Sequence, residues 1–242
     1  MDLPKYRYET HLHTSPVSKC AKSSVSETLA FYKSAGYDGV FITNHFIDGN
    51  IGISPDAPYE EKIAFYFSDY EEALRLSKEM GIKVFCGVEI SKGGTDFLVY
   101  GLDKGWYLRH PEISEMEKSS ELTLMMDEGA LIIQAHPFRE ARYIDHIRLY
   151  PRHVHGVETI NACRTDFEND MAKLYAQSYG LLEFAGSDNH AAGARPFLAG
   201  MGCEVPITSE SDFIARVKNS EMEIFTWENA LASTGVQNNL KG

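Results

Sequence analysis

Two histidines one residue apart, His11 and His13, are the first residues of this chain that could do chemistry together. On an extended segment side chains alternate, so both imidazoles point to one side and can hold one ion. Further along stand His45 after Asn44, Glu89 after Val88, His136 before Pro137, and the run Asp188-Asn189-His190. Five of the nine histidines fall in this set, which separates it from scattered surface histidines. Imidazole with carboxylate suits zinc, iron or manganese better than calcium. A glutamate such as Glu89 can bridge two ions with its two oxygens, and Asp188 adds charge to offset two or more dications. Two metals about 3.5–4 Å apart can clamp the attacking and leaving oxygens of a phosphoester. The set His11, His13, His45, Glu89, His136, Asp188 and His190 is therefore expected to be a metal site.

Each of these residues falls at the end of a short β-type run. Strands are expected at Tyr6 to His13, Gly39 to Thr43, Lys83 to Ile90, Phe97 to Gly101, Ala130 to Ala135, His155 to Ile160 and Leu182 to Ala185. Helices are expected at Ser26 to Ala35, Tyr59 to Met80, Ile113 to Glu128 and Asp166 to Tyr179. Gly36, Gly81, Gly129 and Gly180 stop them. Phe197 to Trp227 reads as strand, helix, strand, and Asn238 to Gly242 as a frayed tail. Alternating β and α runs predict parallel strands wrapped by helices, and seven or eight such units favour a closed α/β barrel. In such a barrel the strand ends converge on one face, so residues distant in sequence meet in one pocket. The other histidines read as structural: His110 in an exposed loop, His146 in a helix, and His153 and His155 at a strand start opposite the pocket.

At 242 residues and 43% hydrophobic, the chain suffices for one domain, residues 1–242. A net charge of -12 makes its general surface a poor partner for nucleic acid or an anionic membrane. Cys20, Cys86, Cys163 and Cys203 form no CxxC pair and read as reduced thiols of a cytoplasmic protein. No apolar h-region opens the chain, and no run reaches the length of a membrane span.

Glu9-Thr10-His11-Leu12-His13-Thr14, Thr43-Asn44-His45, Gly87-Val88-Glu89, Ala135-His136-Pro137 and Gly186-Ser187-Asp188-Asn189-His190 together resemble the PHP (polymerase and histidinol phosphatase) family, over about residues 6–200. The resemblance implies a distorted TIM-like (β/α)7 barrel with two to three divalent ions (zinc, iron or manganese) at the strand C-termini. It implies that His11 and His13 hold a first metal with Glu89 and Asp188, that Glu89 bridges to a second held by His136, and that His45 and His190 hold a third. Asp188, Glu89 and His190 would then be the catalytic residues, with a water or hydroxide between metals attacking phosphorus. Two positions depart from the family pattern. An acid or histidine usually follows the His-x-His pair by five or six residues, where this chain has Ser18 and Lys19. Cys20 comes next, and a soft thiolate ligand there is disfavoured. A histidine often follows the bridging glutamate, where this chain has Ser91 to Phe97. Water, substrate oxygen or His110 would have to fill the gaps.

Phosphate needs cations, and Arg139 and Arg195, in loops beside ligands, are the candidates, ahead of Arg142, Lys19 and Lys22. Asn161 either faces the pocket or caps a turn, and Glu158 is either a pocket group or a buried structural acid. The expected substrate is a small phosphorylated metabolite or nucleotide. Two rivals stand beside this phosphoesterase. One is an amidohydrolase-like hydrolase of C–N or C–O bonds, which typically bridges its metals with a modified lysine; Glu89 takes that place here. The other is a non-catalytic metal-binding regulatory barrel.

Overall fold

Nine strands build one sheet in the computed structural model, which describes residues 3–228. They are β1 (Tyr6–Leu12), β2 (Gly39–Ile42), β3 (Lys83–Lys92), β4 (Thr95–Tyr100), β5 (Leu131–Ala135), β6 (Gly156–Asn161), β7 (Leu182–Gly186), β8 (Leu198–Cys203) and β9 (Glu223–Trp227). The tail expected at Asn238 to Gly242 lies outside the described residues. Strand order is β7-β6-β5-β4-β3-β2-β1-β8-β9, so the first seven strands run side by side in chain order. The two edges of that run meet. The His13 N–H donates to Asn189 O just beyond β7 at 2.9 Å, and Leu12 bridges Asn189 in parallel. The result is an α/β fold around a nearly closed, barrel-shaped sheet, as expected. β8 and β9 extend it from β1 as an antiparallel pair.

The expectation of uniformly parallel strands fails at β4. β3 pairs with β4 antiparallel, with Lys92 opposite Thr95. Only Gly93 and Gly94 join them, at φ 56 and 83. Positive φ at both central residues is what a two-residue hairpin turn requires, and glycine meets it without strain. β4 then pairs antiparallel with β5, and β5, β6 and β7 are parallel again. Because β4 runs backwards, its beginning, not its end, joins the face where β1, β2 and β3 finish.

Helices α1 (Val25–Ser34), α2 (Tyr59–Met80), α4 (Lys118–Asp127), α5 (Asp166–Tyr179) and α6 (Glu210–Lys218) carry most of the helical layer, with a short α3 (Lys104–Arg109). α1 and α5 begin with capping boxes, Ser24–Glu27 and Thr165–Glu168, which satisfy otherwise unpaired N–H groups. The single helix expected from Ile113 to Glu128 is a 3₁₀ turn at Pro111–Glu115 followed by α4. Extended Met116 (ψ 149) and Glu117 (ψ 138) separate them. The helix expected around His146 is irregular and exposed chain. At one end of the barrel Tyr8, Phe41, Phe85, Tyr100 and Phe184 form an aromatic floor. Phe213 of α6 plugs it, 4.4 Å from Phe41 and 5.4 Å from Tyr100 between ring centroids. Such a packed floor closes the barrel interior at this end and leaves its opposite end open.

Candidate metal centre

That open face gathers the histidines and acids singled out above. His11 of β1 and Glu89 of β3 are fully buried, and His13, His136 and Asp188 nearly so. His11 Nε2 lies 3.2 Å from Glu89 Oε1 and 3.6 Å from Asp188 Oδ1. His13 Nε2 lies 3.5 Å from Glu89 Oε2 and 3.4 Å from Asp188 Oδ1. His136 Nε2 is 3.5 Å from Glu89 Oε1 and 3.9 Å from Asp188 Oδ2. His45 Nδ1 lies 2.5 Å from Glu89 Oε2. His190 stacks on His13 at 4.1 Å, and its Nδ1–H donates to the Asp188 carbonyl at 3.0 Å, so its Nε2 is the free nitrogen. All seven residues therefore meet in one place.

Further groups meet there too. Asp96, at the start of β4, has Oδ2 3.9 Å from His136 Nε2 and 2.7 Å from Arg139 Nη2. A pattern of strand ends does not point to it, because the hairpin reverses β4 and brings its start to the barrel mouth. Glu158 of β6 is buried, and its Oε1 accepts from His11 Nδ1 at 3.0 Å. Its Oε2 accepts from the His136 N–H and from Asn161 Nδ2. Glu158 thus holds His11 and His136 from behind, while Asn161 braces Glu158 and caps a turn, its Oδ1 accepting from the Cys163 N–H at 2.9 Å. Arg164, in the loop before α5, has Nη2 4.0 Å from Asp188 Oδ2.

His11 and His13 turn their Nε2 atoms toward each other at 3.3 Å. The outer nitrogen of each is engaged, by Glu158 and by Ser18. With both rings neutral, two lone pairs face each other and the oxygens of Glu89 and Asp188. Both Glu89 oxygens and His136 Nε2 are buried without a hydrogen bond among the described residues. Buried acceptors crowded this closely are costly unless a cation lies among them. Four triads could hold an ion: His11-His13-Glu89, His11-His136-Asp188, Glu89-Asp96-His136 and His13-His45-His190. The donor set, imidazole and carboxylate, fits a divalent transition metal.

The electrostatics point the same way. Burial opposes ionisation of Glu89, yet His45, His11 and His13 hold its carboxyl well below the usual range. Asp188 behaves alike: burial opposes, and His11 and His13 prevail. Burial opposes charge on His11, but Glu158, Asp188 and Glu89 lift it well above an ordinary histidine. His13 goes the other way, lowered by burial and by His190 and His45. The centre thus keeps its acids ionised and invites positive charge.

A cavity of 480 Å³ opens on the cluster, lined by His45, Asp96, Arg139, Arg164, Asp188 and His190 among others. An adjoining cavity of 240 Å³ shares Arg164, Asp188 and His190 and adds Lys22 and Arg195. Arg139 thus faces the first cavity, already paired with Asp96, and Arg195 the second. Exposed Arg142 and Lys19 line neither. His110 does not approach the cluster. It stacks on Trp106 at 4.3 Å and bonds Glu112, so it fills no ligand gap. Cys20 does line the first cavity. Burial disfavours its thiolate, but His190 and His45 bring its pKa down to about 6.

No family model matches the sequence, and no curated protein matches it. Solved structures do match. A two-domain protein from Bacteroides vulgatus, containing a predicted PHP-like metal-dependent phosphoesterase, is 14% identical at a TM-score of 0.66, covering 97% of this chain and 72% of that one. A putative metal-dependent phosphoesterase from Bifidobacterium adolescentis is 14% identical at 0.53, covering 88% and 96%. An amidohydrolase from Chromobacterium violaceum, with bound sulfate and no metal, is 13% identical at 0.51, covering 90% and 97%. At such identity the likeness establishes a shared fold.

Proposed function

We propose that this chain is a metal-dependent phosphoesterase acting on a small phosphorylated metabolite or nucleotide. The observation that carries the reading is the convergence of Nε2 of His11, His13 and His136 with both oxygens of Glu89 and of Asp188 around one buried point. His11, His13, His45, Glu89, His136, Asp188 and His190 would hold two or three divalent ions, with Asp96 a further candidate ligand. Bound there, such ions would polarise a phosphoryl oxygen and lower the pKa of water. The fold shared with one protein containing a predicted metal-dependent phosphoesterase and with one putative metal-dependent phosphoesterase supports the reaction class.

The protein's own residues have distinct parts. Glu89 and Asp188 each present oxygens to more than one histidine and so span the centre. Arg139, Arg164 and Arg195, on the walls of the two cavities, would bind the phosphoryl oxygens and orient the ester. The oxygen of water bonds to phosphorus, the bond from phosphorus to the ester oxygen breaks, and a proton given up by the water goes to that ester oxygen, so that the alcohol leaves. Glu89 holds the spanning place that a modified lysine takes in amidohydrolase-like enzymes, which favours phosphoester over amide chemistry.

The test is hydrolysis of an aryl phosphate by the whole chain with added manganese. Wild type should turn over, and Asp188→Ala should lose about 100-fold or more. Absence of hydrolysis of aryl, nucleotide and sugar phosphates by a metal-loaded wild type would overturn the proposal.

A further inference from the structure

Behind His13 runs a buried chain of polar groups that ends on a helix. Asp69 of α2 is 1% exposed, and its Oδ2 accepts from Thr14 Oγ1 at 2.7 Å, Asn44 Nδ2 at 3.1 Å and the Val17 N–H at 3.3 Å. Asn44 Oδ1 in turn accepts from the Thr14 N–H at 2.7 Å and from Ser18 Oγ at 2.8 Å. Ser18 Oγ meets the His45 N–H at 2.9 Å and His13 Nδ1 at 3.0 Å. Ser18, Asn44 and Thr14 are fully buried.

The proton positions follow from one end. A backbone N–H can only donate, so the Asn44 atom facing Thr14 is the oxygen, and its amide nitrogen faces Asp69. That oxygen is 2.8 Å from Ser18 Oγ, so the single hydroxyl proton of Ser18 must lie between them. Ser18 then has only lone pairs for its other two neighbours. His13 must donate from Nδ1, which leaves a lone pair on the Nε2 that faces Glu89 and Asp188. The same hydroxyl fixes the backbone of His45, whose ring lies 4.3 Å from that of His13.

We propose that Asp69, Asn44 and Ser18 form a positioning relay that locks His13 in its Nδ1–H tautomer and sets His45 beside it for metal binding. It rests on the metal-site reading above. The relay differs from the support of His11, which is a carboxylate in direct contact. Groups that orient a metal-ligating histidine are typically worth about 10–100-fold in metal affinity.

The experiment has two readouts on the full chain. First, metal-stripped wild type, Ser18→Ala, Asp69→Ala and Asp69→Asn are titrated calorimetrically with manganese, with the melting temperature of each metal-free protein recorded. Ser18→Ala and Asp69→Ala should bind manganese about 10–100-fold more weakly while folded, and Asp69→Asn, which keeps an acceptor oxygen, should recover most of the loss. Variants that melt lower but bind as wild type would show a merely structural network and overturn the relay. Wild type that takes up no manganese would overturn the metal-site reading, and the relay with it. Second, nitrogen NMR of the His13 ring in wild type should report the Nδ1–H tautomer. This readout needs no variant to fold, and an Nε2–H signal would overturn the relay alone.

Discussion

His136 and Asp188 both hold positive φ, 25 and 51, which side chains other than glycine rarely adopt. Both sit just past strand ends, where the chain must turn away while the side chain still faces the barrel mouth. Such outliers are characteristic of sites where surrounding structure fixes the geometry. A histidine outside the site gives a pH prediction. His155 Nδ1 accepts from the Ile132 N–H, which requires a neutral ring, and burial and the charge of Lys218 lower its pKa from 6.5 to about 4. A depressed folded-state pKa gives stability that is present above 6.5 and is lost as pH falls through about 4. The melting temperature of wild type should fall more steeply between pH 7 and 4 than that of His155→Gln; parallel curves would contradict this. At this scale the sequence disclosed residues whose type alone signals ligation. Ser18, Arg164 and Asp96 stayed hidden because a serine, an arginine or an aspartate is ordinary until its neighbours are known.

Close approach of elements explains where glycine is needed. On Gly186, at the end of β7, a Cβ would lie 2.5 Å from His11 Cβ and 2.8 Å from Glu158 Oε1. The closing strand therefore presses directly on a ligand candidate and its support. Gly186→Ala should cost about 1–3 kcal/mol of unfolding free energy in a denaturant titration, as overpacking does elsewhere. Unchanged stability would mean that β7 and β1 are not tightly apposed. Strongly periodic elements were the legible ones: α2 and α5 run from Tyr59 to Met80 and from Asp166 to Tyr179, as their patterns and closing glycines predict. β4 was legible as a strand but not in direction, since a buried apolar run reads the same either way. The adjacent Gly93 and Gly94 were the available hairpin signal. The short α3 was missed, though Asp103 caps it by accepting from the Trp106 N–H at 2.7 Å.

Over the whole molecule, the barrel divides labour between its ends. An aromatic floor plugged by Phe213 supplies packing, and the opposite mouth concentrates Glu89, Asp96, Glu158 and Asp188, all buried. Glu9, whose Oε1 accepts from the His11 and Ser187 N–H groups, is buried as well, and burial pushes its carboxyl up to about 7. Among the described residues no helix is long and apolar enough to cross a membrane. The α/β barrel was legible from the alternation of elements, whereas the antiparallel extension by β8 and β9 rests on pairings that local patterns do not encode. The central claim is that this acidic mouth is built around divalent ions. Elemental analysis of the whole chain, expressed and purified with manganese and zinc supplied, tests it most directly, with Glu89→Gln alongside. The account predicts about two to three ions per wild-type chain and at least one fewer in Glu89→Gln. A folded wild-type protein that carries no metal and rebinds none would contradict it.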